Sequence, residues 1–215
     1  MPPKPKFSRE EIISAGLEIA RASGIEAVKA REVGEKLGCS SRPIFTFFDS
    51  MEELQKAVEL KAWSLFSSYV DIADDYVPSF KKRGMQMIKF AQEEPKLFRL
   101  LMMTEKKPID FESLMKTRIS SFGKDIDSIC SLYGVSQEEA NQMFGNMWVS
   151  TYGICVLCAT KVCAFSEAEL ASMLGRFFAG EIMVIKSGKS SEFDFLPTLK
   201  ESPESRKHSA PFTEV

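Results

Sequence analysis

Apolar residues recur three and four positions apart along most of this chain, which is the period of α-helices that bury one face. No convincing run of alternating apolar and polar residues indicates a β-strand. The pattern therefore predicts an all-α protein of about nine helices. The first spans about 8–23, two short helices follow before residue 50, and the other six span about 50–74, 78–93, 95–104, 109–133, 136–162 and 166–187.

Four of these helix starts carry the capping-box pattern. In a capping box, a serine side chain accepts a hydrogen bond from the third amide of the helix, and a glutamate three residues on accepts one from the serine amide. The four pairs are Ser8–Glu11, Ser50–Glu53, Ser136–Glu139 and Ser166–Glu169. Because each cap contributes ~1 kcal/mol, these are the best-defined boundaries in the sequence.

The stretch 28–54 predicts two short helices joined by a tight turn. Gly38 ends the first helix, because glycine enters the left-handed backbone region without steric cost. Ser40 or Ser41 begins the second helix, which carries Arg42 on its surface. This spacing is that of a helix-turn-helix, whose second helix enters the DNA major groove.

Length and composition allow one or two compact units, since 44% of the 215 residues are hydrophobic. We expect an N-terminal three-helix DNA-binding domain at 1–49 and a second helical domain at 50–188. The segment 189–215 is rich in Ser, Lys, Glu and Pro, which predicts a mobile tail.

The charge distribution changes this picture only locally. The whole chain has a net charge of −2, whereas residues 1–49 carry eight basic and seven acidic side chains. From Lys36 to Phe48 there are two basic residues and no acidic one. This is a weak electrostatic footprint for DNA, but its sign is right.

Three features predict a cytoplasmic protein without a membrane partner. The N-terminus lacks the apolar core of a signal peptide, and the five cysteines are an odd number outside any small secreted scaffold. Polar residues interrupt the longest apolar tract, 143–162, so it indicates a buried helix rather than a membrane span.

Three segments of the N-terminal region, ASGIEAV at 22–28, REVGEKLGCS at 31–40 and IFTFFDSMEEL at 44–54, together resemble the tetracycline-repressor (TetR) family of bacterial transcription regulators. The resemblance covers about residues 8–60 in detail and extends loosely to the later helices. It implies a homodimeric, cytoplasmic bacterial repressor. Such a repressor binds a double-stranded DNA operator and is released when a small molecule binds among the middle helices. The resemblance thus implies that 50–188 is a helical ligand-binding and dimerisation domain.

The resemblance also implies which residues contact DNA. Arg42 is the candidate for base recognition, because a guanidinium can bind guanine O6 and N7, and a phosphate contact is its alternative role. The candidate DNA-contacting residues are Lys4, Lys6, Lys29, Lys36, Ser40, Ser41, Arg42, Pro43, Phe45, Thr46 and Phe47. Arg42, Pro43, Phe45, Phe47 and Met51 depart from the residues usual in the family, and the last three remove polar groups. We therefore expect specificity to rest on Arg42 and its neighbours.

Aromatic and methionine residues of the middle helices are candidates for an effector pocket, because both types offer adaptable apolar surface. They are Trp63, Phe66, Tyr69, Phe90, Phe98, Met102, Met103, Phe122, Phe144, Met147, Trp148 and Tyr152. They predict a hydrophobic effector and no cofactor, and a plain packed core remains the alternative.

The last two predicted helices are apolar around most of their circumference, so they must be covered on all sides. A four-helix bundle made of two helices from each chain would cover them, and burial within one chain is the alternative. The candidate interface residues are Trp148, Tyr152, Cys155, Val156, Met173, Leu174, Phe177, Phe178 and Ile182.

Cys155, Cys158 and Cys163 leave a different function open. A C-x-x-C pair can be a redox or metal site, although cysteines three apart in an apolar helix also fit buried small side chains. The alternatives are thus a thiol-based redox or metal sensor, and a helical ligand-binding protein that does not bind DNA. Since the sequence has no Gly-rich phosphate loop, Ser–His pair or HExxH motif, we predict neither an enzyme nor a metal site.

Overall fold

The computed structural model describes residues 7–72, 79–105 and 107–188, and over these ranges the chain is helical without any strand. The described chain forms nine α-helices: α1 Arg9–Ser23, α2 Ala30–Lys36, α3 Met51–Val70, α4 Ser79–Glu93, α5 Pro95–Met102, α6 Phe111–Ser121, α7 Gly123–Tyr133, α8 Gln137–Ala159 and α9 Glu167–Ser187. Two 3₁₀ turns are added at Ile25–Ala27 and Ile44–Thr46. The all-α class and the number of helices are confirmed. The predicted tail at 189–215, together with Lys4 and Lys6, lies outside the described residues.

The predicted second helix of the helix-turn-helix is much shorter than expected. Only a single 3₁₀ turn, Ile44–Thr46, forms there, and neither Ser40 nor Ser41 caps it. Pro43 explains the difference, because it lacks an amide hydrogen and disfavours helical backbone in the residue before it.

The predicted helix over 109–133 is two helices rather than one. The backbone of Phe122 departs from helical geometry with φ −122° and ψ 28°, so α6 ends and α7 begins there. The count of nine is therefore reached with one predicted helix reduced to a turn and another divided.

Three of the four predicted capping boxes are complete, at Ser8–Glu11, Ser136–Glu139 and Ser166–Glu169. The fourth is only half formed. The Ser50 side chain accepts from the Glu53 amide at 3.2 Å, but the Glu53 carboxylate accepts from the Asp49 amide at 2.8 Å instead of the Ser50 amide.

The N-terminal helices do not have a core of their own. Ile12, Ile44 and Phe48 belong to one cluster of buried side chains that continues through α3 into Phe90 and Phe98. A smaller cluster joins α7 to the first half of α8. Within the described ranges, no helix combines the length and the apolar character needed to cross a membrane.

Candidate functional sites

A close backbone approach shapes the turn after α2. The Cys39 amide donates to the Gly34 carbonyl at 2.9 Å, and Gly38 takes the left-handed conformation at φ +67°. A Cβ atom added at Gly34 would lie 2.9 Å from the Cys39 carbonyl oxygen and 3.0 Å from the Ser40 carbonyl carbon. Only glycine at position 34 permits this turn without a backbone shift.

Residues 40–48, which we call the turn segment, have one buried side and one exposed side. Ile44 and Phe48 are buried in the core and anchor the segment, and the Arg9 guanidinium of α1 lies 4.7 Å from the Phe48 ring centre. The exposed candidates are Ser40, Arg42, Phe45 and Thr46, while Ser41, Pro43 and Phe47 are half-buried. The turn segment therefore presents a polar and aromatic surface that includes one cation.

The cations near the turn segment differ in their pairing. Lys36 forms an ion pair with Glu18 at 2.5 Å, which neutralises it in the free protein. Lys29 and Arg42 are exposed, and no carboxylate of the described residues pairs with either. The unpaired positive charge of this surface thus comes from these two residues.

A cavity of about 310 Å³ lies between α3, α4, α7, α8 and α9. Five of the twelve predicted pocket residues line it, namely Phe66, Phe122, Phe144, Met147 and Trp148. The other lining residues were not predicted: Val70, Phe80, Lys81, Arg83, Gly84, Met87, Asp125, Ile129, Tyr133, Thr151, Leu174, Gly175 and Phe178. An aromatic cavity therefore exists, but it lies farther toward α7 and α9 than expected.

The seven remaining predicted pocket residues do not line this cavity. Phe90 and Phe98 are fully buried, and Met103 is exposed. Trp63, Tyr69, Met102 and Tyr152 pack against the core in half-buried positions.

The two tyrosines of that set hold helices together. The Tyr69 hydroxyl donates to Glu93 at 2.7 Å, and burial together with this carboxylate raises the pKa of Tyr69 to about 12. The Tyr152 hydroxyl donates to the Met102 carbonyl at 2.6 Å. These bonds join α3 to α4 and α8 to α5, so the two tyrosines serve packing in the free protein.

A buried ion pair in the cavity wall is the main feature that sequence reasoning missed. Arg83 Nε donates to Asp125 Oδ2 at 2.6 Å, and Arg83 Nη1 donates to the Val70 carbonyl at 3.0 Å. The Ser79 hydroxyl donates to Asp125 Oδ1 at 2.5 Å, and the Arg83 guanidinium lies 5.3 Å from the Phe122 ring centre. In the sequence, Asp125 stands at an otherwise apolar position of α7, which could have marked it as buried. Nothing near it in the sequence indicates that Arg83 is its partner.

The outward faces of α8 and α9 expose apolar side chains. Within the predicted interface set, Cys155 and Leu174 are buried in the subunit itself, so the structure leaves neither for a partner. Trp148, Leu174 and Phe178 line the cavity. Tyr152, Val156, Met173 and Ile182 are half-buried, and Phe177 is exposed. The exposed apolar side chains that the prediction omitted are Val149, Leu157 and Met183.

The three clustered cysteines lie in different environments. Cys155 and Cys158 are buried in α8, whereas Cys163 is exposed beyond its end. Burial raises the pKa of both Cys155 and Cys158 above the usual thiol range, which opposes the reactive thiolate form. Over the described ranges, no group of three or more His, Cys, Asp or Glu side chains is arranged to hold a metal ion.

No protein-family model matches this chain, and no curated protein matches it significantly.

Proposed function

We propose that this protein is a homodimeric, DNA-binding transcription regulator of the TetR type. In this proposal it acts as a repressor that leaves its operator when a small molecule fills the cavity. The observation that carries the proposal is the turn segment, because it is anchored by two buried side chains and presents Arg42 outward after a glycine-dependent turn. The resemblance of residues 8–60 to that family supports the same conclusion.

The helix α4 offers a physical link between the cavity and the N-terminal helices. Its first half lines the cavity with Arg83 and Gly84, and Glu94 follows its last residue. The buried Glu94 carboxylate accepts two hydrogen bonds from Arg21 of α1, one of them from Nε at 2.8 Å. Lys96 also donates to the Ala22 carbonyl at 2.5 Å. A ligand that displaces α4 would therefore displace α1, which is the coupling that regulation requires.

The exposed apolar side chains of α8 and α9 support the homodimer. Val149, Leu157, Phe177 and Met183 are between 38% and 72% exposed. A second copy of the two helices would cover these side chains in a four-helix arrangement. Two copies would then present two turn segments to two half-sites of one operator.

Fluorescence anisotropy with the DNA upstream of the protein's own gene tests this proposal. We expect binding that weakens with salt, and we expect Arg42→Ala to weaken it by about 1–3 kcal/mol. Arg99→Ala, which removes an exposed arginine from α5, is the matched control and should bind as wild type does. Complete absence of DNA binding at low salt would refute the proposal and leave a helical ligand-binding protein.

A further inference from the structure

The cavity wall contains more positive than negative charge. Its ionisable groups, apart from the Tyr133 phenol, are Lys81, Arg83 and Asp125. Arg83 and Asp125 form the buried pair described above and cancel one another. No carboxylate of the described residues pairs with Lys81, so one positive charge of the wall is uncompensated.

A second cation lies against the same wall. The Arg118 guanidinium of α6 lies 5.4 Å from the centre of the Trp148 ring, whose side chain lines the cavity. Arg118 Nε is buried and has no hydrogen-bond partner, and none of the described carboxylates forms an ion pair with this side chain. Arg118 therefore adds a positive charge beside the cavity wall that no carboxylate of the described residues compensates.

One hydroxyl group in the wall is also unused. Thr151 is only 6% exposed, it lines the cavity, and its side chain forms no hydrogen bond within the described residues. A Cβ atom added at Gly84 would lie 3.7 Å from Thr151 Oγ1, so the glycine leaves the space beside this hydroxyl open. Thr151 can thus donate a hydrogen bond to a molecule in the cavity.

From these three observations we infer that the cavity binds an amphipathic organic anion, a monocarboxylate on an aromatic or branched apolar body. The apolar body packs among Phe122, Phe144 and Trp148, and the carboxylate meets Lys81 and the Thr151 hydroxyl. The Arg118 guanidinium does not line the cavity, but it adds positive charge beside the Trp148 ring. The cavity volume of about 310 Å³ is near the lower end of the ~300–1,000 Å³ typical of small-molecule pockets. The inference that this anion is the effector rests on the proposed function. The cavity and its charge do not depend on that function.

Three probes of one shape test the charge preference in the full chain. They are 2-naphthoate, 2-naphthylmethanol and 2-naphthylmethylammonium, each titrated by calorimetry at low salt. We expect the carboxylate to bind about tenfold more tightly than the alcohol and the ammonium compound to bind most weakly.

Variants of the two unpaired cations assign that preference to residues. Lys81→Met should reduce the carboxylate-to-alcohol affinity ratio by up to about fivefold, because Lys81 is exposed. Arg118→Met should reduce it by about twofold, because its guanidinium acts from beside the Trp148 ring, and Arg118→Lys should keep most of the ratio. Lys116→Met removes an exposed lysine from the same helix and should leave the ratio unchanged.

Equal affinity for the carboxylate and the alcohol would overturn the inference, as would an unchanged ratio in both variants or failure of all three probes to bind. Parallel DNA titrations separate this result from the proposed function. If the protein prefers the carboxylate but binds no DNA, the proposed function fails and the anion site stands. If it binds DNA but has no charge preference, only the anion site fails.

Discussion

The N-terminal unit, residues 7–50, and the region around the cavity use aromatic side chains in opposite ways. In the N-terminal unit, Phe48 is fully buried in tight packing and holds the turn segment in place. Around the cavity, Phe122, Phe144 and Trp148 surround a space that no side chain fills. The first region is built to hold a backbone shape, and the second is built to leave room next to a buried ion pair. Four predictions test this contrast, in order of decreasing effect.

The largest effect is expected from breaking the buried pair of the cavity region. Asp125→Ala removes the buried carboxylate that pairs with the Arg83 guanidinium, so the free energy of unfolding should fall by about 3–5 kcal/mol in urea titrations. The double variant Arg83→Met with Asp125→Leu should recover most of this loss. If the single variant loses less than about 1 kcal/mol, the pair is not the structural centre of the cavity.

The turn after α2 should be the most sensitive backbone position of the N-terminal unit. Gly34→Ala places a methyl group against the Cys39 and Ser40 carbonyl groups, so the turn must shift and stability should fall by about 1–3 kcal/mol. If the turn segment binds DNA as proposed, the affinity for DNA should fall more than stability predicts, because the turn segment moves. Gly123→Ala is the control, since nothing lies within 4 Å of a Cβ atom there. Equal behaviour of the two variants would contradict the close approach at Gly34.

The hydrogen bonds between Arg21 and Glu94 link the two regions. Removing them should weaken this link without unfolding either region. The double variant Arg21→Met with Glu94→Gln removes these bonds without leaving the buried Glu94 charge unpaired, and α1 keeps its apolar face, so the DNA binding of the proposed function should remain. The shift in operator affinity caused by a cavity ligand should fall at least about threefold, because coupling energies of this kind are about 1–3 kcal/mol. Lys61→Met removes the Lys61–Glu10 ion pair between α3 and α1 and serves as the control. A full ligand response in this double variant would show that the signal takes another route.

The smallest effect concerns acid stability, where the two regions should behave alike. Hydrogen bonds from the serine amide and hydroxyl lower the pKa of Glu11 in the N-terminal unit and of Glu139 in α8. A lowered carboxyl pKa contributes stability above the ordinary value of 4.5, and this contribution is lost as pH falls through the folded-state value. Glu139→Gln should therefore show a shallower loss of stability below pH 4.5 than wild type. Glu138→Gln, beside it, should match wild type, and a shallower slope in this control would contradict the capping explanation.

The helix boundaries were predictable because their causes are local. Ser8, Ser136 and Ser166 each form the expected box, since a serine and a glutamate three residues apart meet in any helix that begins there. The errors were also local conflicts. Pro43 left only one 3₁₀ turn in the turn segment, and Phe122 divided a predicted helix. Pro43 and Phe122 are both visible in the sequence. Whether the backbone leaves helical geometry at these positions depends on the hydrogen bonds that the folded neighbours can offer.

The candidate sites were less predictable. Phe66, Phe122, Phe144, Met147 and Trp148 line the cavity as expected, but Phe90 and Phe98 have the same chemistry and are packed core. Residue type cannot distinguish these outcomes, because an aromatic ring suits a filled core as well as a cavity wall.

The sequence by itself determined the helical class, the capped starts of α1, α8 and α9, and the glycine turn before the turn segment. These features depend on backbone propensities and on contacts within a few residues. Only the tertiary structure decided that Arg83 meets Asp125 from 42 positions away, that Lys36 is paired with Glu18, and that space remains beside Thr151. Such contacts depend on how helices pack, and packing is a property of the whole chain.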